Sequence, residues 1–295
     1  MLAHAFSKIV QMPLFSARGR GRHYSQLRGL LEWTLERAYV SDWPARVWGR
    51  ITTEVRRVDV ALDLGTKHPL RIAFASDLHL GPTTPSRTLD RAFALLAEAR
   101  PDVLLLGGDF VFLEATEARV RELAARVAAV PAKTKLAVLG NHDLWTHHER
   151  IERALVGAGV QLVINDAVRL PPPHDDVAVI GLDDPWTGVV DAERAFARAG
   201  DAPVRIALAH AAEALPYVVG RTSLLMVGHT HGGQIAPFGR PIVVHGRVGQ
   251  RHPHGHHVVN GTHLVVSRGV GGIEIPMRLH APPDIVVLHA PTRID

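Results

Sequence analysis

From residue 70 onward, short apolar runs alternate with stretches whose apolar positions recur every three to four residues. Arg71 to Ser76, Val103 to Leu106, Lys135 to Leu139, Val204 to Ala209 and Leu224 to Val227 are brief and largely apolar, as expected of strands buried on both faces. Between them, residues 86–99 place Leu89, Phe93 and Leu96 on one helical face, and residues 116–129 predict an alanine-rich helix. Further strands are expected near 160–164, 166–170, 177–182, 242–245, 256–260, 262–267 and 284–289, and a helix near 191–199. Thr146-His147-His148-Glu149 has the spacing of a capping box and is expected to open another helix. Earlier in the chain, Val58, Val60, Leu62 and Leu64 alternate with polar residues, the pattern of a half-buried strand, and Gly65 to Pro69 reads as a turn. The regular succession of strand, loop and helix predicts an α/β fold.

The first fifty residues read differently. Residues 1–24 hold Lys8, Arg18, Arg20 and Arg22 and no acidic side chain, with Gly19 and Gly21 loosening the chain. Leu27, Leu30, Leu31, Leu35 and Tyr39 then form a helical stripe over residues 25–40, with Trp33, Trp43 and Trp48 close by. Two readings stay open: a disordered or loosely docked tail followed by a helix packed on its own domain, or a peripheral contact with an anionic membrane through residues 1–40. The division expected is a basic, partly helical extension over 1–50 and a catalytic domain over 51–295.

Composition narrows the chemistry. A chain of 295 residues with 46% apolar and 21% charged side chains has the makeup of a globular protein with a sizeable core. It contains no cysteine, which removes disulfides, thiolate metal sites and cysteine nucleophiles. A metal must then be held by His, Asp, Glu or Asn, ligands suited to Mn, Fe, Zn or Mg. The net charge of +4 is a modest excess, and no aromatic-and-basic groove pattern accompanies it, so no nucleic-acid partner is expected. No apolar run reaches the ~18–20 residues of a transmembrane helix, and no signal-peptide pattern is evident. A cytoplasmic location is expected, with or without peripheral contact at the inner face of the membrane. The oligomeric state is not legible.

Five of the apolar runs end in residues that can bind metal: Asp77 and His79, Asp109, Asn141, His210, and His229 with His231. Ligands in open α/β sheets bind beyond the carboxyl ends of the strands. One such ending is commonplace as a helix cap, but five in succession are not. Two divalent ions about 3.5–4 Å apart can clamp a phosphoryl group, and a central carboxylate such as Asp109 is the natural bridge between them.

These residues resemble a known family. Asp77-x-His79, Gly108-Asp109, Gly140-Asn141-His142-Asp143, His210 and Gly228-His229-x-His231 are similar, in order, to the blocks of the calcineurin-like metallophosphoesterases. The resemblance covers roughly residues 70–290. Gly-His-Thr-His-Gly-Gly-Gln-Ile at 228–235, Val266-Ser267-Arg268-Gly269 and Pro282-Pro283-Asp284-Ile285 are similar to a bacterial branch that includes membrane-associated phosphodiesterases and hydrolases of UDP-2,3-diacylglucosamine. The resemblance implies a four-layer αββα sandwich, two mixed β-sheets flanked by helices, with an N-terminal helical extension. It implies one ion held by Asp77, His79, Asp109 and His231, and a second by Asp109, Asn141, His210 and His229. A hydroxide bridging the two would attack phosphorus in line. His142 would stabilise charge on the phosphoryl or leaving-group oxygen, and Asp143 would orient its ring. A phosphodiesterase is the favoured reading, with a lipid-linked or nucleotide diphosphate substrate. A phosphomonoesterase and a non-catalytic scaffold are the alternatives.

The remaining candidates have plainer readings. His147 and His148 are expected to be exposed in the first turn of a helix, with contact to the substrate as the alternative. His245, His252, His254, His256 and His257 are expected in a solvated hairpin loop, with an additional metal site as the alternative. Asp183-Asp184-Pro185 is either a turn or an approach to the site. Arg268 meets either a phosphate or a backbone or carboxylate partner. Ala211-Ala212-Glu213, where the family often has an acid and a proline, is expected to shape the pocket rather than hold metal.

Overall fold

A computed structural model describes residues 54–274 and 277–292, together with Leu30, Trp33, Thr34, Leu35, Arg37 and Ala38. Those six N-terminal residues are helical. The rest of the expected extension, including the basic segment, lies outside the described residues. No described helix is long and apolar enough to cross a membrane.

The strands are β1 (Arg56–Ala61), β2 (Leu70–Ala75), β3 (Val103–Leu106), β4 (Thr134–Ala137), β5 (Gln161–Leu162), β6 (Asp166–Arg169), β7 (Val177–Gly181), β8 (Val204–Leu208), β9 (Leu224–Val227), β10 (Gly255–Val259), β11 (Thr262–Val266) and β12 (Asp284–Ala290). They form two six-stranded sheets, ordered β1-β12-β2-β3-β4-β5 and β10-β11-β9-β8-β7-β6. Both are mixed. β12 runs antiparallel to β2, β10 to β11 and β6 to β7, while the other neighbours are parallel.

Period-two alternation explains the layering. Along β2, Ile72 and Phe74 point into a core shared with the second sheet, where they join Val179, Ile206, Leu208 and Met226. Ala73 and Ala75 point the other way, to Leu89, Leu96, Leu123 and Ile151. Those four come from helices α1 (Ser86–Glu98), α2 (Glu117–Ala128) and α4 (His148–Gly157). The second sheet repeats the scheme. Ala178, Ile180 and Leu225 on its outer face meet Phe196 of α5 (Ala192–Ala199) and Val218 of α6 (Leu215–Val218). The result is the expected four-layer αββα sandwich. Small alanines on the outer faces let the helices approach the sheets closely.

Three local expectations are corrected. Residues 242–245 form no strand; Ile242 and Val243 are exposed, and a short helix α7 (Arg247–Arg251) follows. The capping box at 146–149 does not form. Helix α4 starts at His148 without a side-chain cap, because the Thr146 hydroxyl accepts the Ala115 amide instead (3.0 Å). His148 is buried rather than exposed, its Nδ1 lying 3.1 Å from Glu152 one turn on.

Candidate metal centre

The carboxyl ends of β2, β3 and β4 from one sheet and of β8 and β9 from the other open onto the same rim. Backbone hydrogen bonds lace these ends together. The Asp77 amide donates to the Gly108 carbonyl (2.9 Å), the His79 amide to Asp109 (3.0 Å), and the Gly228 amide to His210 (2.8 Å). Across the sheets, the His229 amide donates to both oxygens of Asp77 (3.1 and 3.0 Å). Such close approach leaves no room for side chains at two positions. A β-carbon at Gly228 would strike Ser76 and the Asp77 carboxylate, and one at Gly140 would strike the Asp109 carboxylate.

All nine residues singled out from the sequence lie at this rim, and seven of them converge as donors. In the first group, His79 Nε2 lies 3.2 Å from His231 Nε2 and 3.5 Å from Asp109 Oδ2, and His231 Nε2 lies 3.4 Å from Asp77 Oδ1. In the second, His210 Nε2 lies 3.1 Å from Asn141 Oδ1, 3.1 Å from His229 Nδ1 and 3.3 Å from Asp109 Oδ2. Asp109 faces both groups with the same oxygen. Its other oxygen accepts the His142 amide (2.9 Å), which fixes the carboxylate's rotation. Asp77, His79 and His231 on one side, and Asp109, His210 and His229 on the other, each form a group able to hold a metal ion.

The donor set fits divalent cations. Nitrogen and oxygen ligands at about 2.0–2.2 Å from a metal lie roughly 2.8–3.6 Å from one another in tetrahedral or octahedral arrangements. Most of the separations above fall in that range. Two contacts also set imidazole nitrogen against imidazole nitrogen, where two lone pairs would repel. A cation between them removes the conflict. His210 is held in the right tautomer, since its Nδ1 donates to the Gly107 carbonyl (2.8 Å) and leaves Nε2 to the cluster. Electrostatics agree for three of the four histidines. Burial lowers His79 to about 4 and holds His229 and His231 well below the ordinary histidine range, so these rings are neutral donors. Burial alone would also lower His210, but Asp109, Asp77 and Asp184 more than offset it and lift it. Burial alone would raise Asp109, and the neighbouring His210 and His142 hold it down instead.

Five of the seven donors, Asp77, His79, Asp109, His229 and His231, occupy left-handed backbone with φ between 45° and 69°. Residues other than glycine pay on the order of 1 kcal/mol or more each for this conformation. Such strain persists only where the surrounding structure enforces it, and here it turns five donors toward one another.

His142 lines a cavity of about 70 Å³ with Asp109, Asn141, Trp145, Trp186, His229, His231 and His245. Its ring stands edge-on to His79 at 4.9 Å and lies 4.7 Å from Trp145. Asp143 has work on the backbone that its place beside His142 did not announce. Its two oxygens accept the amides of Asp109 (2.8 Å), Gly140 (3.0 Å), Phe110 (2.8 Å) and Val111 (3.3 Å), so it holds the loop of Asp109.

Several residues at this rim carried no signal in the motifs. Trp186 lies 5.3 Å from His229, and His245 lies 5.9 Å from it. His245 thus belongs beside the cavity rather than with the other histidines of its stretch. Asp184 accepts the Trp186 and Thr187 amides (3.2 and 2.6 Å), so the Asp183-Asp184-Pro185 turn is what presents Trp186. Trp145 Nε1 donates to Thr187 (3.0 Å) and ties the two tryptophan loops together. The chain has only five tryptophans, and the two outside the N-terminal stretch both line the cavity, a scarcity that was the available clue. Buried Arg278 donates to His231 Nδ1 (3.0 Å) and to four backbone carbonyls. Arg268 binds Asp284 (3.1 Å), which decides for the carboxylate partner. Glu213 accepts the Val248 and Gly249 amides and so braces α7.

Residues 70–233 match the family of calcineurin-like phosphoesterases. The chain belongs to that family. As a calcineurin-like phosphoesterase it is a metal-dependent phosphoester hydrolase. Among named relatives, it is 29% identical over 229 residues to phosphodiesterase YaeI of Escherichia coli, covering 75% of this chain and 82% of that protein. It is also 29% identical over 224 residues to the uncharacterized metallophosphoesterase YkuE of Bacillus subtilis, covering 74% and 77%. Among solved structures, TT1561 of Thermus thermophilus aligns with a TM-score of 0.47 at 13% identity, covering 68% of this chain and 90% of that one.

Proposed function

We propose that this phosphoesterase is a binuclear phosphodiesterase. One divalent ion would be held by Asp77, His79, Asp109 and His231, and the other by Asp109, Asn141, His210 and His229. The observation that carries this reading is Asp109 Oδ2, which lies within 3.5 Å of a histidine nitrogen in each group. When bound, a pair of such ions polarises a phosphoryl oxygen and generates a nucleophile from water near neutral pH. The nitrogen and oxygen donors suit Mn, Fe, Zn or Mg. The protein's own contribution is positional. His142 lines the cavity and is assigned to charge developing on the phosphoryl or leaving-group oxygen. Residues 51–295 are read as the catalytic domain. The diester preference is supported by the name of the Escherichia coli relative, and a lipid-linked diphosphate is the substrate class to test after it.

Turnover of bis-p-nitrophenyl phosphate against p-nitrophenyl phosphate tests the proposal on Mn²⁺-loaded protein. The diester is expected to be the better substrate, and EDTA is expected to abolish both activities, with recovery on returning metal. Preference for the monoester would replace the phosphodiesterase reading with a phosphomonoesterase. Activity that survives complete chelation would overturn the metal assignment.

A further inference from the structure

Exposed apolar side chains gather beside the cavity. Among the described residues, Phe238 is 93% exposed, Ile242 67% and Val243 61%, all on the loop that follows His231. Leu279, on the segment this loop pairs with, is 37% exposed. The loop is firmly held. The Ala236 amide donates to Leu279 (2.8 Å), Leu279 to Gln234 (2.9 Å) and Ile242 to Ile235 (3.1 Å). The Phe238 amide donates to His280 Nδ1 (2.9 Å). Phe238 itself has φ 54°, a region that a bulky side chain enters only under strain. A strained backbone here presents a large aromatic ring to water, so two unfavourable features fall on one residue of a fixed loop.

The stretch that carries this loop is rich in arginine and has no acidic residue of its own, although Arg221 pairs with Glu193 and Arg268 with Asp284. From Ala214 to Ile273 the chain contains Arg221, Arg240, Arg247, Arg251 and Arg268 and not one aspartate or glutamate. Arg240, Arg247 and Arg251 are exposed. The loop also adjoins the catalytic mouth. Ile273 and His245 line the cavity, and Gln234 grips Ile273 through both its amide and its carbonyl (3.1 and 2.8 Å). An apolar protein partner would account for Phe238 and Ile242 but not for the arginines. An anionic lipid surface accounts for both, with the apolar tips entering the acyl boundary and the guanidinium groups meeting the head groups.

We infer that the loop of residues 235–243 docks on an anionic lipid bilayer and sets the mouth of the neighbouring cavity against its surface. The inference is independent of the substrate, because docking is measured without turnover.

The test is cosedimentation of the full chain with vesicles of phosphatidylcholine mixed with phosphatidylglycerol, and with vesicles of phosphatidylcholine alone. Wild type is expected to bind the anionic vesicles and to bind the neutral ones more weakly. Phe238→Ser/Ile242→Ser should bind the anionic vesicles roughly tenfold or more weakly, since it removes one aromatic and one aliphatic anchor. Arg240→Gln/Arg247→Gln should also weaken binding, and its difference from wild type should shrink in high salt. Both variants change exposed side chains, so melting temperature and hydrolysis of a small soluble ester should be unchanged. Failure of wild type to bind anionic vesicles overturns the inference, as does equal binding to neutral ones. Full binding by Phe238→Ser/Ile242→Ser overturns it too and moves membrane contact to another segment. A concentration-dependent dimer that this variant abolishes, with no vesicle binding, assigns the patch to a second copy of the chain instead.

Discussion

Asp109→Ala is expected to lower phosphoester turnover by about a thousandfold or more, and to do so by emptying both halves of the centre. Electrostatic help from a preorganised metal pair amounts to several kcal/mol, and each 1.36 kcal/mol is a factor of about ten in rate. Asp109 is the residue whose loss touches the whole arrangement. Its Oδ2 stands 3.5 Å from His79 and 3.3 Å from His210, so one oxygen faces both groups. Its Oδ1 accepts the His142 amide, so alanine also releases the start of helix α3 (Asn141–Leu144). Asp109→Asn separates these effects. The amide oxygen can still accept from His142, while the bridging charge is gone. Metal content measured by atomic emission should fall toward zero in Asp109→Ala and below two ions per chain in Asp109→Asn. By contrast, Asp77→Ala should spare metal at the group of Asn141, His210 and His229 more than at its own group. Full metal content with full activity in Asp109→Ala would remove the bridging role.

The site's first-contact residues were legible because two independent patterns coincide at them. Each short apolar run predicts a strand end, and each strand end carries a donor type, so Asp77, Asp109, Asn141, His210 and His229 needed no tertiary information. What the sequence does not encode locally is the partner. Asp143 also accepts amides more than thirty residues away in sequence, at Asp109 and Phe110, which its place beside His142 does not announce. His148 looked exposed because a first helical turn usually is, and it is buried because α4 turns that face inward while Glu152 supplies the hydrogen-bond partner. Ile242, Val243 and Val244 looked like a strand because the run is apolar, but Ile242 and Val243 face solvent and no neighbouring strand offers a ladder. Trp145 and Trp186 showed no spacing rule at all. Only the Asp184 turn and the Trp145–Thr187 hydrogen bond bring them to one cavity.

Loss of the Asp143 carboxylate tests its backbone role with a stability readout rather than a rate. Asp143 is fully buried and accepts four backbone amides. Burial, then the charge on Asp109, push its carboxyl up, while the Gly140 and Phe110 amides pull it back. Four donors aimed at two oxygens match the ionised group. Alanine would leave those amides buried without an acceptor, at about 1–3 kcal/mol each for the well-formed bonds. A total of ~4 kcal/mol is a large share of the roughly 5–15 kcal/mol that holds a domain folded, and it should lower the melting temperature by about 10 °C. Asn at this position keeps one accepting oxygen but turns an amide donor toward the other pair, so Asp143→Asn should lose roughly half as much. His142→Ala is the control, since its ring faces the cavity: activity should fall by about a hundredfold or more with little change in melting temperature. Because Asp143 holds the backbone of Asp109 and Gly140, Asp143→Asn should also lower metal content, which His142→Ala should not. If Asp143→Asn instead reproduced the His142→Ala rate loss with unchanged melting temperature and metal content, its carboxylate would act on the ring and not on the loop.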